Sequence, residues 1–272
     1  MTVLLVAIIT CCILFALYLL SVKGRTGHTG LQELRNWAYA HRGLHGEKTA
    51  ENSLTAFRKA KEAGYGVELD VHLLADGNLA VIHDAALGRT TGREGFVEDL
   101  TTDDLKDYFL EGTADTIPQF CEVLDLFAGV APIIVELKTV RNNYPELCKA
   151  ACNMMDRYDG AYCMESFDPR CIRWLRKNRP DIIRGQLTED YFASANVKVS
   201  GVLKFLLKHQ MLNFLTRPDF VAYRYRDRKT LSNAVCRKLW RMQGVTWTLE
   251  NKQDFDTAVK EGWIPIFEGF TP

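Results

Sequence analysis

Two periods of hydrophobic and polar residues alternate along most of this chain. Short runs alternate every second position, as a strand with one buried face does, and longer runs between them repeat every three or four positions, as amphipathic helices do. The stretch Val67 to Asp84, VELDVHLLADGNLAVIHD, shows the first kind: Val67, Leu69 and Val71 alternate with Glu68, Asp70 and His72. The same reading places strands near Trp37–Arg42, Gly66–Leu73, Leu79–His83, Ile133–Leu137, Ala161–Glu165, Ile183–Gln186, Phe220–Tyr223, Val245–Leu249 and Ile264–Phe267. The run NSLTAFRKAKEAG illustrates the second kind, with Asn52 or Ser53 as cap, apolar Leu54, Phe57 and Ala60, and Gly64 as terminator.

Repeated strand–helix units imply a parallel sheet with helices outside it. Eight or nine of them in about 240 residues suit a closed α/β barrel, the (β/α)8 TIM barrel, better than an open sheet. The open doubly wound sheet is the alternative, but no GxGxxG or phosphate-binding loop opens a helix. One connection is too short for a crossover helix: only LLADGNL separates the second and third strand runs. Asp76-Gly77 signals a two-residue hairpin turn. Pairing Ala75 with Asn78 would set Asp70 directly across from His83, so that acid and histidine share a face.

The N-terminus follows neither period. Thr2 to Val22 contains no charged residue, and VLLVAIITCCILFALYLL is long enough to cross a hydrocarbon core as a helix. A cleaved signal peptide is the rival, but a basic residue before the run and a clear small-residue cleavage site after it are missing. Residues 1–22 are therefore expected to be a single-pass membrane anchor, 23–36 a tether and 37–272 the barrel. Lys23, Arg25 and Arg35 follow the span and no basic residue precedes it, which points to a cell-membrane protein with a cytoplasmic barrel. Acidic and basic residues balance at 34 each, so no nucleic-acid partner is expected. The cysteines after the span are scattered, without the spacing of a zinc cluster or a disulfide framework.

In a barrel, chemistry gathers where strands end at their carboxyl termini. Here those ends are AHRG with His41 and Arg42, ELD with Glu68 and Asp70, IHD with His83, and VELK with Glu136 and Lys138. Three carboxylates could hold one hard divalent cation, Mg2+ or Ca2+, through oxygen. Arg42 and Lys138 suit phosphate oxygens, and two histidines can share acid and base roles.

The ordered set HRG, ENS, ELDVHLLADGNLAVIHD, RTTG, IPQFCEVL, VELK, SFD and WTLEN resembles the glycerophosphodiester phosphodiesterases, from about Ala38 to the C-terminus. The resemblance implies a (β/α)8 barrel and metal-dependent hydrolysis of a glycerophosphodiester to glycerol 3-phosphate and an alcohol. It implies His41 and His83 as the acid/base pair, Glu68, Asp70 and Glu136 as metal ligands, and Arg42, Lys138, Glu51 and Asn52 as phosphate or substrate contacts. Trp247 then matches an aromatic beside the substrate. No serine or cysteine nucleophile stands beside a base, so the substrate's own glycerol 2-hydroxyl is expected to attack phosphorus, giving a cyclic phosphate that water opens. Residues 85–117 correspond to a small insertion. Two departures stand out: Ala50 replaces a usual proline, and IPIFEGFTP replaces a usual GIITDxP ending, which bears on a substrate wall near Glu268 and Phe270.

Plainer readings exist beside these. His28 reads as a solvated tether residue and His45 as a loop histidine. His72 divides evenly between support for Asp70 and a satisfied interior residue. Phe167 reads as core, and Glu51 has the alternative of a helix N-terminal charge. For the whole protein the alternatives are phospholipase D-like hydrolysis of a lysolipid, and an inactive barrel that binds a lipid head group at the membrane.

Overall fold

The computed structural model describes residues 2–194 and 199–272. Among these, nine strands form where the alternation predicts them: β1 (Tyr39–His41), β2 (Gly66–Leu73), β3 (Leu79–Val81), β4 (Ile133–Leu137), β5 (Tyr162–Ser166), β6 (Arg184–Thr188), β7 (Phe220–Arg224), β8 (Gln243–Leu249) and β9 (Trp263–Phe267). Eight are parallel and close in the order β1-β2-β4-β5-β6-β7-β8-β9, with β9 returning to β1. The fold is a TIM barrel. The remaining strand, β3, runs antiparallel along β2 as a short external flap.

The helices are α1 (Thr2–Ser21), α2 (Leu31–Arg35), α3 (Leu54–Glu62), α4 (Gly88–Thr91), α5 (Phe120–Phe127), α6 (Tyr144–Met155), α7 (Pro169–Asn178), α8 (Gly201–Lys208), α9 (Asn213–Thr216), α10 (Leu231–Ala234) and α11 (Lys252–Lys260). A π-helical turn, Val235–Leu239, continues α10. The α3 helix forms as its sequence predicts, with the Ser53 side chain accepting from the Ala56 amide. Phe57 and Ala60 bury its apolar face against Val67 and Leu69 of β2 and Phe127 of α5. Full burial of a side chain the size of Phe57 contributes about 1.5–3 kcal/mol.

Strand parity divides the barrel into two cores. One parity, with Ala40, Leu69, Val135 and Met164, faces the helices. The other faces the axis, where Tyr39, Ile134, Cys163, Phe220, Val245 and Ile264 form an apolar floor. Leu31 and Leu34 of α2 pack onto that floor, and the Tyr39 hydroxyl donates to the Leu34 carbonyl.

The β2–β3 hairpin differs from expectation by one residue. Leu74 donates to the Asn78 carbonyl, so Ala75, Asp76 and Gly77 form a three-residue loop. A two-residue turn of the favoured type needs positive φ at both central positions. Here Gly77 has φ 86° and Asp76 does not, its carboxylate instead accepting from the Asn78 and Thr102 amides. Asp70 therefore lies opposite Ile82, whose amide it receives, and His83 reaches the axis from the loop beyond β3.

Helix α1 is 20 residues long with no buried residue and has the length and apolarity to cross a bilayer. Segment 23–36 is held to the amino end of the barrel: Arg25 pairs with Asp219 and bonds the carbonyls of Pro180 and Ile182. His28 is not simply solvated, since its Nε2 lies 2.8 Å from the Asp181 carbonyl.

Candidate active site

Following the inward parity from floor to mouth, Tyr39 is succeeded by His41, Ile134 by Glu136 and Lys138, Cys163 by Glu165, Val245 by Trp247, and Ile266 by Glu268. Parallel register sets these ends side by side: His41 pairs with Glu68, Asp70 with Glu136, and Glu136 with Glu165. His41, Arg42, Glu68, His83, Glu136, Lys138 and Trp247 line one cavity of about 150 Å³. A groove of about 730 Å³ on the outer wall, lined by Leu73, Leu124 and Met154 among others, has no histidine.

The three remaining candidates stand directly behind. Asn52 donates from Nδ2 to Asp70 at 2.8 Å, and Glu51 accepts from Arg42 at 3.0 Å. The turn that brings them in is tight: Arg42 and Gly43 both have positive φ. A Cβ at Gly43 would come within 2.8 Å of the Ala56 backbone, so a glycine is required there.

Oxygens of Glu68, Asp70 and Glu136 lie within 4.8 Å of one another, and all three side chains are buried. The Lys138 ammonium sits 2.9 Å from Asp70 and 2.8 Å from Glu136. Glu165 is a fourth buried carboxylate on the same wall. Against four acids stand Lys138 and Arg42, and Arg42 also serves Glu51. Protonation carries the imbalance. Burial, then the charges of Asp70, Glu136 and Glu165, push Glu68 well above the usual carboxylate range. Burial and Glu136 do the same to Glu165. Glu136 is pushed by burial to about 7, with Lys138 opposing the rise. Asp70 alone goes down: burial disfavours its charge, but Lys138, His83 and Arg42 outweigh that. One oxygen each of Glu68 and Glu165 is buried without a hydrogen-bond partner. An oxygen-rich, partly unsatisfied, negatively biased pocket fits the donor set of a hard divalent cation.

The two histidines are held alike. His41 Nδ1 lies 2.6 Å from Glu268 and His83 Nδ1 lies 2.6 Å from Asp84. An ionised carboxylate only accepts, so each imidazole donates from Nδ1 and keeps Nε2 free. The Nε2 of His41 is 3.7 Å from Glu68. Burial lowers the pKa of His41 against the pull of Glu268, and burial lowers that of His83 to about 4 despite Asp70. Glu268 is held far below the carboxylate range by its bonds to His41 and His45, against the cost of burial.

The sequence of this chain from 41 to 269 matches the glycerophosphoryl diester phosphodiesterase family. The chain belongs to that family. Its members are phosphoric diester hydrolases. A glycerophosphodiester phosphodiesterase of Bacillus altitudinis is 35% identical over 163 residues, which is 56% of this chain and 66% of that protein. A lysophospholipase D of Homo sapiens is 33% identical over 44% of this chain and 41% of its own length. A solved phosphodiesterase of Oleispira antarctica, in complex with the product sn-glycerol-3-phosphate, shares the fold with a TM-score of 0.69 at 20% identity, covering 85% of this chain and 92% of that one.

Within this phosphodiesterase barrel several residues act beyond what the sequence reading assigned. Glu268, read as part of a substrate wall, is the hydrogen-bond partner of His41, and His45 lies 3.4 Å from its other oxygen. Phe167 belongs to the cavity wall rather than to the core alone, edge-on to Trp247 with centroids 5.5 Å apart. His72 is a buried, hydrogen-bonded interior residue with no bond to Asp70 among the described residues: its Nδ1 lies 2.6 Å from Glu98, and its Nε2 lies 3.2 Å from the His83 carbonyl. Arg89 on α4 bridges Asp84 and Glu51 and so ties the insertion to the mouth. Arg89 stands in the quoted RTTG run, but no spacing rule links it to Asp84. Ser166 and Asp168 of SFD are structural: Ser166 bonds the Leu137 carbonyl and Asp168 caps α7.

Proposed function

We propose that the chain is a membrane-anchored, divalent-cation-dependent glycerophosphodiester phosphodiesterase, releasing glycerol 3-phosphate and an alcohol. The observation that carries this reading is one cavity lined by Glu68, Glu136 and two histidines, with Asp70 directly behind and its carboxylate converging on theirs, each histidine fixed at Nδ1 by its own carboxylate. Glu68, Asp70 and Glu136 would hold the cation, Mg2+ or Ca2+, which supplies positive charge to the phosphate as it gains a fifth oxygen. Arg42 and Lys138 add charge beside it and orient the phosphate.

One of His41 and His83 takes the proton of the glycerol 2-hydroxyl as that oxygen bonds to phosphorus. The other gives a proton to the departing alcohol oxygen as its bond to phosphorus breaks. Water opens the cyclic phosphate with the two roles exchanged. Glu268 and Asp84 orient the rings and offset the positive charge an imidazole gains. Glu51 and Asn52 fix Arg42 and Asp70, and Trp247 with Phe167 forms an aromatic wall for the glycerol or leaving group.

A lysolipid is the second substrate to test, favoured by the apolar α1 and by the lysophospholipase D relative. The deciding assay gives the full chain in detergent glycerophosphodiesters and lysophospholipids, with Mg2+, Ca2+ or EDTA. Turnover of a glycerophosphodiester that stops in EDTA supports the reading, and equal turnover in EDTA removes the cation from it. A 2-deoxyglycerol substrate hydrolysed at the normal rate would replace attack by the 2-hydroxyl with attack by water. We place the barrel in the cytoplasm, from the basic residues after the span. A reporter fused at Pro272 that is active only outside the cytoplasm would reverse that orientation.

A further inference from the structure

Among the described residues, the barrel touches α1 only in its last turn and just beyond it. The Trp240 indole donates to the Leu19 carbonyl at 2.9 Å, Lys23 lies over the Trp240 ring, and Asn213 donates to the Val22 carbonyl at 3.0 Å. Tyr18, Leu19 and Val22 pack with Met211, Val221 and Met242. In a spanning helix the last turn lies at the lipid headgroups, where tryptophan and lysine are favoured. The wall that grips it therefore stands at the membrane surface.

That wall carries large apolar side chains on its outside. Phe214, beside Asn213, and Leu239, beside Trp240, are both exposed. The α8 helix leads into the same corner, has no buried residue, and exposes Val202 and Phe205. From Val199 to Arg217 the sequence contains Lys204, Lys208 and Arg217 but no acidic residue. Apolar residues with a basic excess, Lys208 being paired with Asp190, suit a helix lying in an anionic lipid surface. The C-terminal end of α8, next to that corner, is fixed to the barrel rim: the Leu207 and Lys208 carbonyls accept from Thr188 at the end of β6 and from Tyr223 of β7.

We infer that α8, continuous with the collar of Phe214 and Leu239 around the exit of α1, is a second membrane contact that rests its apolar face on the lipid bilayer. This inference rests on reading α1 as a span. It gives the barrel two attachments instead of one, so that the mouth is held at a fixed attitude to the lipid surface rather than swinging on a tether.

Photocrosslinking of the full chain in phosphatidylcholine/phosphatidylglycerol vesicles tests it. Val202→p-benzoylphenylalanine, at an exposed position, should yield lipid adducts by mass spectrometry. The same substitution at Phe109, exposed on the insertion across the barrel from β7, should give at least about tenfold less. The same probe at Leu14, within α1, reports on the span separately. Adducts at Leu14 with none at Val202 would overturn the α8 contact while leaving the anchor, and no adducts at Leu14 would remove the span itself. A crosslinked protein dimer through Val202 in place of lipid adducts, or equal lipid labelling at Phe109, would also overturn the inference.

Discussion

The floor and the mouth of this barrel are built from the same strands and the same inward-facing parity, yet they follow opposite rules. At the floor, Tyr39, Ile134, Phe220 and Ile264 interlock with Leu31 and Leu34, and every apolar group there finds another. At the carboxyl ends of β2, β4 and β5, on the same inward face, four buried carboxylates share the cations Lys138 and Arg42, and buried oxygens of Glu68 and Glu165 stay without partners. Burying charge without pairing it costs free energy. The floor therefore stabilises a fold whose mouth is electrostatically unsatisfied, and the dissatisfaction is what makes the mouth able to take a cation.

The largest expected separation of the two ends comes from one substitution at each. Glu136→Ala should lower kcat by about 10³-fold or more at ordinary cation concentrations, by removing an oxygen donor and the partner of Lys138. In EDTA it should leave the thermal midpoint unchanged or raised, because it removes a carboxylate that burial disfavours. Phe220→Ala should do the reverse: a loss of about 3–5 kcal/mol of stability in denaturant titrations, with KM close to the parent value where the protein remains folded. A Glu136→Ala variant with full activity, or one destabilised as much as Phe220→Ala, would erase the contrast.

Within the mouth, His41→Ala and His83→Ala should each reduce kcat by about 10²-fold or more, while cation binding measured by calorimetry persists. Glu268→Gln should fall between wild type and His41→Ala in kcat and shift the pH profile of the base, since it keeps a hydrogen-bonding group but removes the charge that steadies the ring. Loss of cation binding in either histidine variant would move that histidine from proton transfer to ligation.

The smallest effect belongs to the hairpin. Asp76 is held near pKa 2 by the amides of Thr102 and Asn78, below the unfolded value of about 3.9. A lowered folded-state pKa stabilises above the unfolded value and is lost as pH falls through about 2. Asp76→Asn should therefore reduce stability slightly at pH 7, by at most about 1 kcal/mol for so exposed a group. The difference from wild type should shrink as pH falls from about 4 to 2.

The contrast between floor and mouth also explains what was readable beforehand. Alternation of apolar and polar positions is local, so nine strands and the ends carrying His41, Glu68, Asp70 and Glu136 follow from sequence. The hairpin register does not, because a carboxylate reaching Thr102, 26 residues away, selects the three-residue loop. Glu268 meets His41 across 227 residues, a contact no spacing reveals. Glu165 could have been found: it ends the strand expected at Ala161–Glu165, shares parity with Cys163 and stands beside Glu136 on the neighbouring strand, so following the inward face of that strand points to it. Arg89 required knowing that the insertion folds back over the mouth.

If the mouth lacks positive charge until a cation fills it, titrating Mg2+ or Ca2+ into the EDTA-treated full chain by calorimetry tests this most directly. Run in two buffers of different ionisation enthalpy at pH 6 and pH 8, the titration should show one saturable ion. Affinity should rise with pH, with protons released on binding, because Glu136 sits at about 7, Glu68 is pushed well above the usual carboxylate range, and the cation requires both ionised. Glu136→Gln should abolish both signals. Binding that is absent, or that is unchanged by Glu136→Gln and independent of pH, would contradict the account.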